Sequence, residues 1–156
     1  MKRKINFFKG VIFLLVMSIL FLVFLVATQI FTAEKIVWDG PLIVFMVAVT
    51  ATTIFGLAAL YKLYLAVQLI GDNQAFSMKI LPIVHRMSHL LLGMACSFCG
   101  ILPFVYQGAQ IEDAPGLVIL GLILVSLPFA LFVFAQIVEE LFKQAVALQK
   151  EQDLTV

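Results

Sequence analysis

The stretch VIFLLVMSILFLVFLVATQIF, residues 11–31, is the most informative part of the sequence for the fold class. It contains 21 residues and no charge. An α-helix rising about 1.5 Å per residue would cover the roughly 30 Å hydrocarbon core of a bilayer over that length. The basic start Met1-Lys-Arg-Lys4 also suits a signal peptide. The apolar core of a signal peptide is only about 7–15 residues long, however, so we interpret residues 11–31 as a retained first span.

The composition indicates that most of the chain lies in the membrane. Of its 156 residues, 63% are hydrophobic and 12% are charged, against about 45–50% and 25% in soluble domains. Further apolar runs predict spans at about residues 41–61, 81–106 and 116–138, followed by a cytoplasmic tail over residues 139–156. The sequence therefore predicts an all-α fold, a four-helix transmembrane bundle that forms a single integral membrane domain.

The basic residues predict how the bundle is oriented. Lys35 follows the first span, and the other nine fall on the opposite side of the predicted bilayer. These nine are Lys2, Arg3, Lys4, Lys9, Lys62, Lys79, Arg86, Lys143 and Lys150. Because cytoplasmic loops carry an excess of lysine and arginine, we expect both termini and the middle connection in the cytoplasm of a bacterium, with the spans in its plasma membrane.

The segment before the third span is amphipathic. From Phe76 to His89 the polar side carries Lys79 and Arg86. The apolar side carries Met78, Leu81, Val84 and Met87 and continues to Leu91. This pattern is typical of a helix that lies at the membrane surface. We expect Lys79 and Arg86 to contact anionic lipid there.

His85 and His89 are four residues apart, so both side chains project from one helix face. That spacing suits a shared metal ion. A third ligand is missing from the sequence, since Cys96 lies about 10 Å farther along the helix axis than His89. We predict no metal site, with His85 and His89 as the only candidates.

Cys96 and Cys99 lie within the third span, about one helical turn apart. Some four-helix membrane oxidoreductases use such a pair, but they pass electrons through a second cysteine pair that this chain lacks. Thiols in apolar surroundings are inert and behave as small hydrophobic groups. A structural role is the preferred interpretation, and a thiol oxidoreductase is the third hypothesis for function.

Small residues recur at helical intervals in two of the spans. The second span has Thr52, Gly56 and Ala59, and the third has Gly93, Ser97 and Gly100. Helices in membranes associate by close packing, which small residues permit. These positions therefore predict packing faces, although a pore or a dimer seam would use the same residues.

The tail continues a helical apolar pattern out of the fourth span. Its members are Ile137, Val138, Leu141, Phe142, Ala145, Val146 and Leu148. Glu139 and Lys143 form an i,i+4 pair in the favourable order. We expect an amphipathic extension of the fourth helix into the cytoplasm, where Glu139, Glu140 and Lys143 contact lipid or a partner.

The sequence resembles a known family at its second connection and at its C-terminus. The matching stretches are Leu69-Ile-Gly-Asp-Asn-Gln-Ala-Phe-Ser77 and the ending Glu151-Gln-Asp-Leu-Thr-Val156. They resemble the small bacterial membrane proteins catalogued as domain of unknown function 2975, with a likeness that covers residues 11–156. Gln74-Ala-Phe76 departs from that family's Gly-x-Pro-Phe-like phrase. The resemblance implies a four-helix inner-membrane protein, often encoded beside a small helix-turn-helix regulator, and supplies no catalytic residues.

No catalytic constellation, nucleotide loop, cofactor motif or charge within the span cores occurs in the sequence. We therefore expect a non-enzymatic regulatory or accessory protein that binds a cytoplasmic partner such as a helix-turn-helix regulator and does not itself bind nucleic acid. The alternative is a small transporter or channel subunit that works as a homo-oligomer. Its polar path would be lined by residues such as Thr50, Thr52, Thr53 and Gln136.

Overall fold

A computed structural model describes residues 2–32, 39–71 and 78–154, with side chains over 6–32, 39–71 and 78–151. Within these ranges the regular structure is helical and no strand occurs. The helices are α1 (Lys2–Thr32), α2 (Gly40–Gly71), α3 (Ile80–Phe98), α4 (Leu102–Ile111) and α5 (Gly116–Leu154). Four helical stretches are long and apolar enough to cross a membrane, namely Asn6–Thr32, Gly40–Gly71, Ile80–Ile111 and Gly116–Glu151. The predicted all-α fold with four candidate spans is confirmed.

The third span is interrupted, which its sequence pattern did not predict. A 3-10 turn at Cys99–Ile101 separates α3 from α4, and the N–H of Leu102 bonds to the Cys99 carbonyl oxygen three residues back. Pro103 follows directly and has no N–H to continue an α-helical bond to Cys99, which accounts for the position of the break. α4 then extends to Ile111, beyond the predicted end of the span at residue 106.

The helices do not contribute equally to the packing. α2 packs against α1, α3 and α4, while α5 packs mainly against α3 and α4. α1 packs almost entirely against α2, and Ile12 is its one buried residue among those described. The bundle is therefore a packed unit of α2 to α5 with α1 attached to its outside.

Glycines allow α2 and the third span to approach closely. A Cβ on Gly100 would lie 2.7 Å from the Ala48 Cβ, and one on Gly93 would lie 3.0 Å from the Phe55 ring. A Cβ on Gly56 would meet the Met94 sulfur at 3.4 Å. The predicted packing role of these three glycines is confirmed.

The alternating helices give the bundle two chemically different ends. The acidic end carries Asp39, Glu112 and Asp113, and Gln107 Nε2 lies 3.5 Å from Asp39 Oδ2 there. At the opposite end, the Lys9 ammonium lies 5.3 Å from the centre of the Tyr64 ring. We call this second end the basic end; it carries Lys9, Lys62, Lys79, Arg86 and Lys143.

Two apolar side chains at the start of α3, at the basic end, are enclosed by the bundle. Ile80 and Val84 are the largest fully buried side chains of the described residues. Val84 belongs to the side of the amphipathic segment that we expected to face the membrane, yet it is packed inside the bundle, whereas Met78 is 59% exposed. The described residues do not include Lys35, on which the predicted orientation partly depends. They also do not include Phe76 and Ser77, which precede the third span.

Candidate functional site

Four polar side chains connect α3 to α5 at the basic end. His85 Nδ1 lies 2.8 Å from Glu139 Oε1, and Lys143 Nζ lies 2.9 Å from the same oxygen. On the other side of the ring, His85 Nε2 lies 3.1 Å from His89 Nε2. We refer to His85, His89, Glu139 and Lys143 as the His–Glu cluster.

Glu139 is the buried member of the His–Glu cluster. Its side chain is 9% exposed, whereas those of His85 and Lys143 are 57% and 52% exposed. Ala135 and Val146, which share the inward face of α5 with Glu139, are also buried. A carboxylate is costly to bury without partners. The Lys143 ammonium and the His85 N–H supply these partners, so the carboxylate can remain ionised while it joins the two helices.

The cluster fixes the orientation of His85 and the tautomer of its neutral ring. An ionised carboxylate only accepts hydrogen bonds, so Nδ1 of His85 must carry the proton that lies between it and Glu139. In the neutral ring Nε2 then presents a lone pair, and it faces His89 Nε2. The two rings meet edge to face, with an interplanar angle of 85° and centroids 4.5 Å apart.

The cluster contains no hydroxyl or thiol group. Over residues 6–32, 39–71 and 78–151, no hydroxyl or thiol is hydrogen bonded to either histidine. The same residues contain no group of three or more His, Cys, Asp or Glu side chains placed to hold a metal ion. The chemistry that the cluster offers is proton exchange, ion pairing and ligation by imidazole nitrogen.

The other predicted contact residues surround the cluster without joining it. Lys79 precedes α3, Arg86 lies on α3, and Glu140 follows Glu139 on α5; all three are exposed. Among the described residues, neither Lys79 nor Arg86 forms a salt bridge. Their predicted contact with anionic lipid stays a prediction.

The residues of the alternative hypotheses lie elsewhere. Cys96 and Cys99 are both free thiols, Cys96 is exposed, and the Cys99 thiol lies 3.5 Å from the Ala95 carbonyl oxygen. Thr50 and Thr53 donate their hydroxyl protons to carbonyl oxygens of their own helix at 2.8 Å and 2.7 Å.

Thr52 and Gln136 are the other two residues predicted to line a transporter's polar path. The Thr52 hydroxyl is buried without a hydrogen-bond partner in the described part of the chain, and Gln136 is exposed on α5. The hydroxyls of Thr50 and Thr53 are bonded within α2, and a polar path between copies of the chain stays a prediction.

The apolar residues of the tail divide between two faces of α5. Val146 is buried in the bundle together with Glu139; counted over whole residues, they are 5% and 7% exposed. Ile137, Leu141 and Leu148 point the other way and are 55%, 59% and 62% exposed. At 100° per residue these three lie within about 40° of one another on the helix. We call them the outer stripe.

The contact between His85 and Glu139 was not among the predictions made from the sequence. The i,i+4 pair of Glu139 with Lys143 was predicted and is confirmed. No direct signal in the sequence indicates a contact across 54 residues. One indirect signal existed. Glu139 shares its helix face with the apolar residues Ala135 and Val146, which places its carboxylate on the side of α5 that faces the bundle interior.

Comparison with known proteins gives a family and one relative. The sequence profile of a family described as "Protein of unknown function (DUF2975)" matches residues 10–156. The chain is 30% identical over 98 residues to the "Uncharacterized membrane protein YoaS" of Bacillus subtilis (strain 168). That alignment spans 63% of the chain and 61% of the relative. No solved structure matches the chain.

Proposed function

The chain belongs to the DUF2975 family of proteins of unknown function, and we propose that it is a non-enzymatic regulatory or accessory protein of the bacterial plasma membrane. It acts by binding a cytoplasmic protein, and a helix-turn-helix regulator is the proposed class of partner. The observation that carries this proposal is the part of the outer stripe that follows the predicted fourth span, where the apolar side chains of Leu141 and Leu148 are more than half exposed.

The orientation of the bundle supports a cytoplasmic partner. The basic end carries Lys9, Lys62, Lys79, Arg86 and Lys143, and no lysine or arginine among the described side chains lies at the other end. Since basic residues are retained on the cytoplasmic side during insertion, the basic end faces the cytoplasm. The C-terminal part of α5 then extends into the compartment that holds soluble regulators.

The length of α5 favours a protein over lipid as the cover for Leu148, the last residue of the outer stripe. Its 39 residues extend about 58 Å, roughly twice the hydrocarbon core. If the core ends near Glu139, Leu148 lies about 13 Å farther along the axis. The headgroup layer is only about 5–8 Å thick on each side. A helix near the membrane normal therefore carries Leu148 past the lipid.

Site-specific photocrosslinking in living cells tests the proposal. A photoreactive side chain at position 148 should form a crosslink to one soluble regulator, identified by mass spectrometry. In the L141E/L148E variant that same regulator should move from the membrane fraction to the soluble fraction. The control is Ala147→Glu, which adds a charge at an exposed position on another face of α5.

Three results would contradict the proposal. The first is a probe at position 148 that crosslinks only to lipid. The second is a probe that crosslinks only to a second copy of the chain, which would favour the oligomeric transporter. The third is a regulator whose membrane fraction stays the same in the L141E/L148E cells and in the A147E cells.

A further inference from the structure

We propose that His85 and His89 bind a divalent transition-metal ion such as Zn²⁺, with Glu139 as the positioning residue that orients His85. The proposal does not depend on the identity of any protein partner. It rests on three observations on the basic end: two ring nitrogens that face each other, a buried carboxylate behind one ring, and open access to the other.

The two Nε2 atoms are spaced as ligands of one ion. They lie 3.1 Å apart. Two nitrogens that bind one tetrahedral Zn²⁺ at about 2.0–2.1 Å are about 3.3 Å apart. The N–H of His89 now points at the lone pair of His85, so both exposed rings must rotate to supply the remaining distance and to aim two lone pairs at one ion. The four-residue spacing on one helix face keeps both nitrogens on the same side of α3.

Glu139 prepares His85 for metal binding. Metal-ligating histidines commonly donate their other N–H to a carboxylate, which fixes the tautomer and makes the ligating nitrogen more basic. The 2.8 Å contact between His85 Nδ1 and Glu139 Oε1 has that arrangement. Lys143, at 2.9 Å from the same oxygen, keeps the carboxylate in place. The sequence shows the two histidines, and only the tertiary structure shows this third group.

His89 can present its lone pair without a net loss of protons. In the absence of metal, its Nε2–H donates to His85 Nε2 across the 3.1 Å contact. When an ion binds, the proton moves through solvent to His89 Nδ1, which has no hydrogen-bond partner among the described side chains. Both rings are exposed, so water can complete the coordination. Imidazole ligands favour Zn²⁺, Cu²⁺ and Ni²⁺ over Mg²⁺ and Ca²⁺.

The test uses the full chain, purified in detergent without a polyhistidine tag, and Zn²⁺ alone as the probe. Equilibrium dialysis should give one bound Zn²⁺ per chain. In the H85A/H89A variant we expect the affinity to fall at least about 100-fold. Glu139→Gln should weaken binding about tenfold, because loss of an outer carboxylate costs about 10–100-fold. Glu140→Gln, the exposed neighbour, should bind as the unaltered chain does.

Two further measurements distinguish Zn²⁺ binding at the two histidines from Zn²⁺ binding elsewhere on the chain. In the unaltered chain, Zn²⁺ should protect His85 and His89 from modification by diethylpyrocarbonate, a result that does not depend on a variant folding. Bound Cu²⁺ should show coupling to two imidazole nitrogens in electron paramagnetic resonance. The C96A/C99A variant should keep its affinity for Zn²⁺.

Several results would overturn the proposal. Zn²⁺ binding that is equal in the H85A/H89A variant would show adventitious binding elsewhere. Binding that is lost in C96A/C99A would assign the ion to the thiols. If His85 and His89 reacted equally with diethylpyrocarbonate in the presence and absence of Zn²⁺, the two rings would form a hydrogen bond and not a metal site.

Discussion

The first and third spans contrast most strongly. Residues 6–32 of α1 form the most apolar of the four candidate spans, and Ile80–Ile111 forms the least apolar. The number of buried residues follows the opposite order. α1 has Ile12 as its one buried residue among those described, whereas α3 contributes Ile80, Val84, Ser88 and Ala95 to the interior.

The contrast shows that hydropathy and packing are different properties of a membrane helix. Hydropathy indicates whether the helix can lie in lipid, whereas packing depends on its contacts with other helices. Apolar side chains are equally satisfied by lipid and by protein, so they give a membrane helix no reason to associate. Small residues that allow close approach, and polar groups that need partners, do give such a reason. α3 and the 3-10 turn that follows it have Gly93, Gly100 and His85; the two glycines pack closely against α2, and His85 contacts α5.

Truncating the interior of α3 should destabilise the bundle most. Ile80→Ala should lower the free energy of unfolding by about 2–5 kcal/mol, because Ile80 is completely buried and the substitution leaves a cavity. Leu20→Ala on α1, at a side chain that is 47% exposed, should change it far less. Unfolding in mixed detergent micelles measures both. Equal losses would mean that α1 is packed as tightly as α3.

Adding volume at the close approach of α2 and the 3-10 turn should have the next largest effect. In Gly100→Val the new Cβ would lie 2.7 Å from the Ala48 Cβ, and overpacking of this kind costs about 1–3 kcal/mol. Gly10→Val on α1 is the matched control, since nothing lies within 4 Å of its added Cβ. Thermal unfolding of the two variants provides the comparison. A stable Gly100→Val variant would show that α2 can move away from the third span.

Neutralising Glu139 should have a smaller effect. Glu139→Gln keeps an acceptor for His85 but loses the ion pair with Lys143. Hydrogen bonds to charged groups contribute about 1.5–3 kcal/mol, so we expect a loss of about 1–2 kcal/mol. Glu140→Gln, next to it and exposed, is the control. If both variants unfolded alike, the ion pair between Glu139 and Lys143 would not contribute to the stability of the bundle.

Weakening the attachment of α1 should have the least effect. The Lys9 ammonium lies 5.3 Å from the centre of the Tyr64 ring on α2, and such cation–π contacts contribute about 0.5–1 kcal/mol at exposed sites. Lys9→Met should therefore speed hydrogen exchange in α1 and leave exchange in α3 unchanged. A double-mutant cycle with Tyr64→Leu isolates the contact. Additive effects of the two substitutions would show that α1 is attached by other contacts.

The class of this protein and the number of its candidate spans follow from the order of its amino acids. Runs such as residues 11–31 are apolar for the length that a bilayer requires, and in lipid a backbone can satisfy its own hydrogen bonds within a helix. The pair of Glu139 with Lys143 and the packing role of Gly56, Gly93 and Gly100 were also predictable, because they depend on local spacing and residue size.

Which helices touch, and which polar groups meet, became visible only in the folded bundle. Glu139 and His85 are 54 residues apart, and no local pattern encodes their contact. The division of the tail residues between the interior and the outer stripe likewise depends on how α5 rotates against α3. An apolar side chain is solvated equally well by lipid and by a protein core. The sequence alone therefore does not show which apolar residues face lipid and which pack inside the bundle.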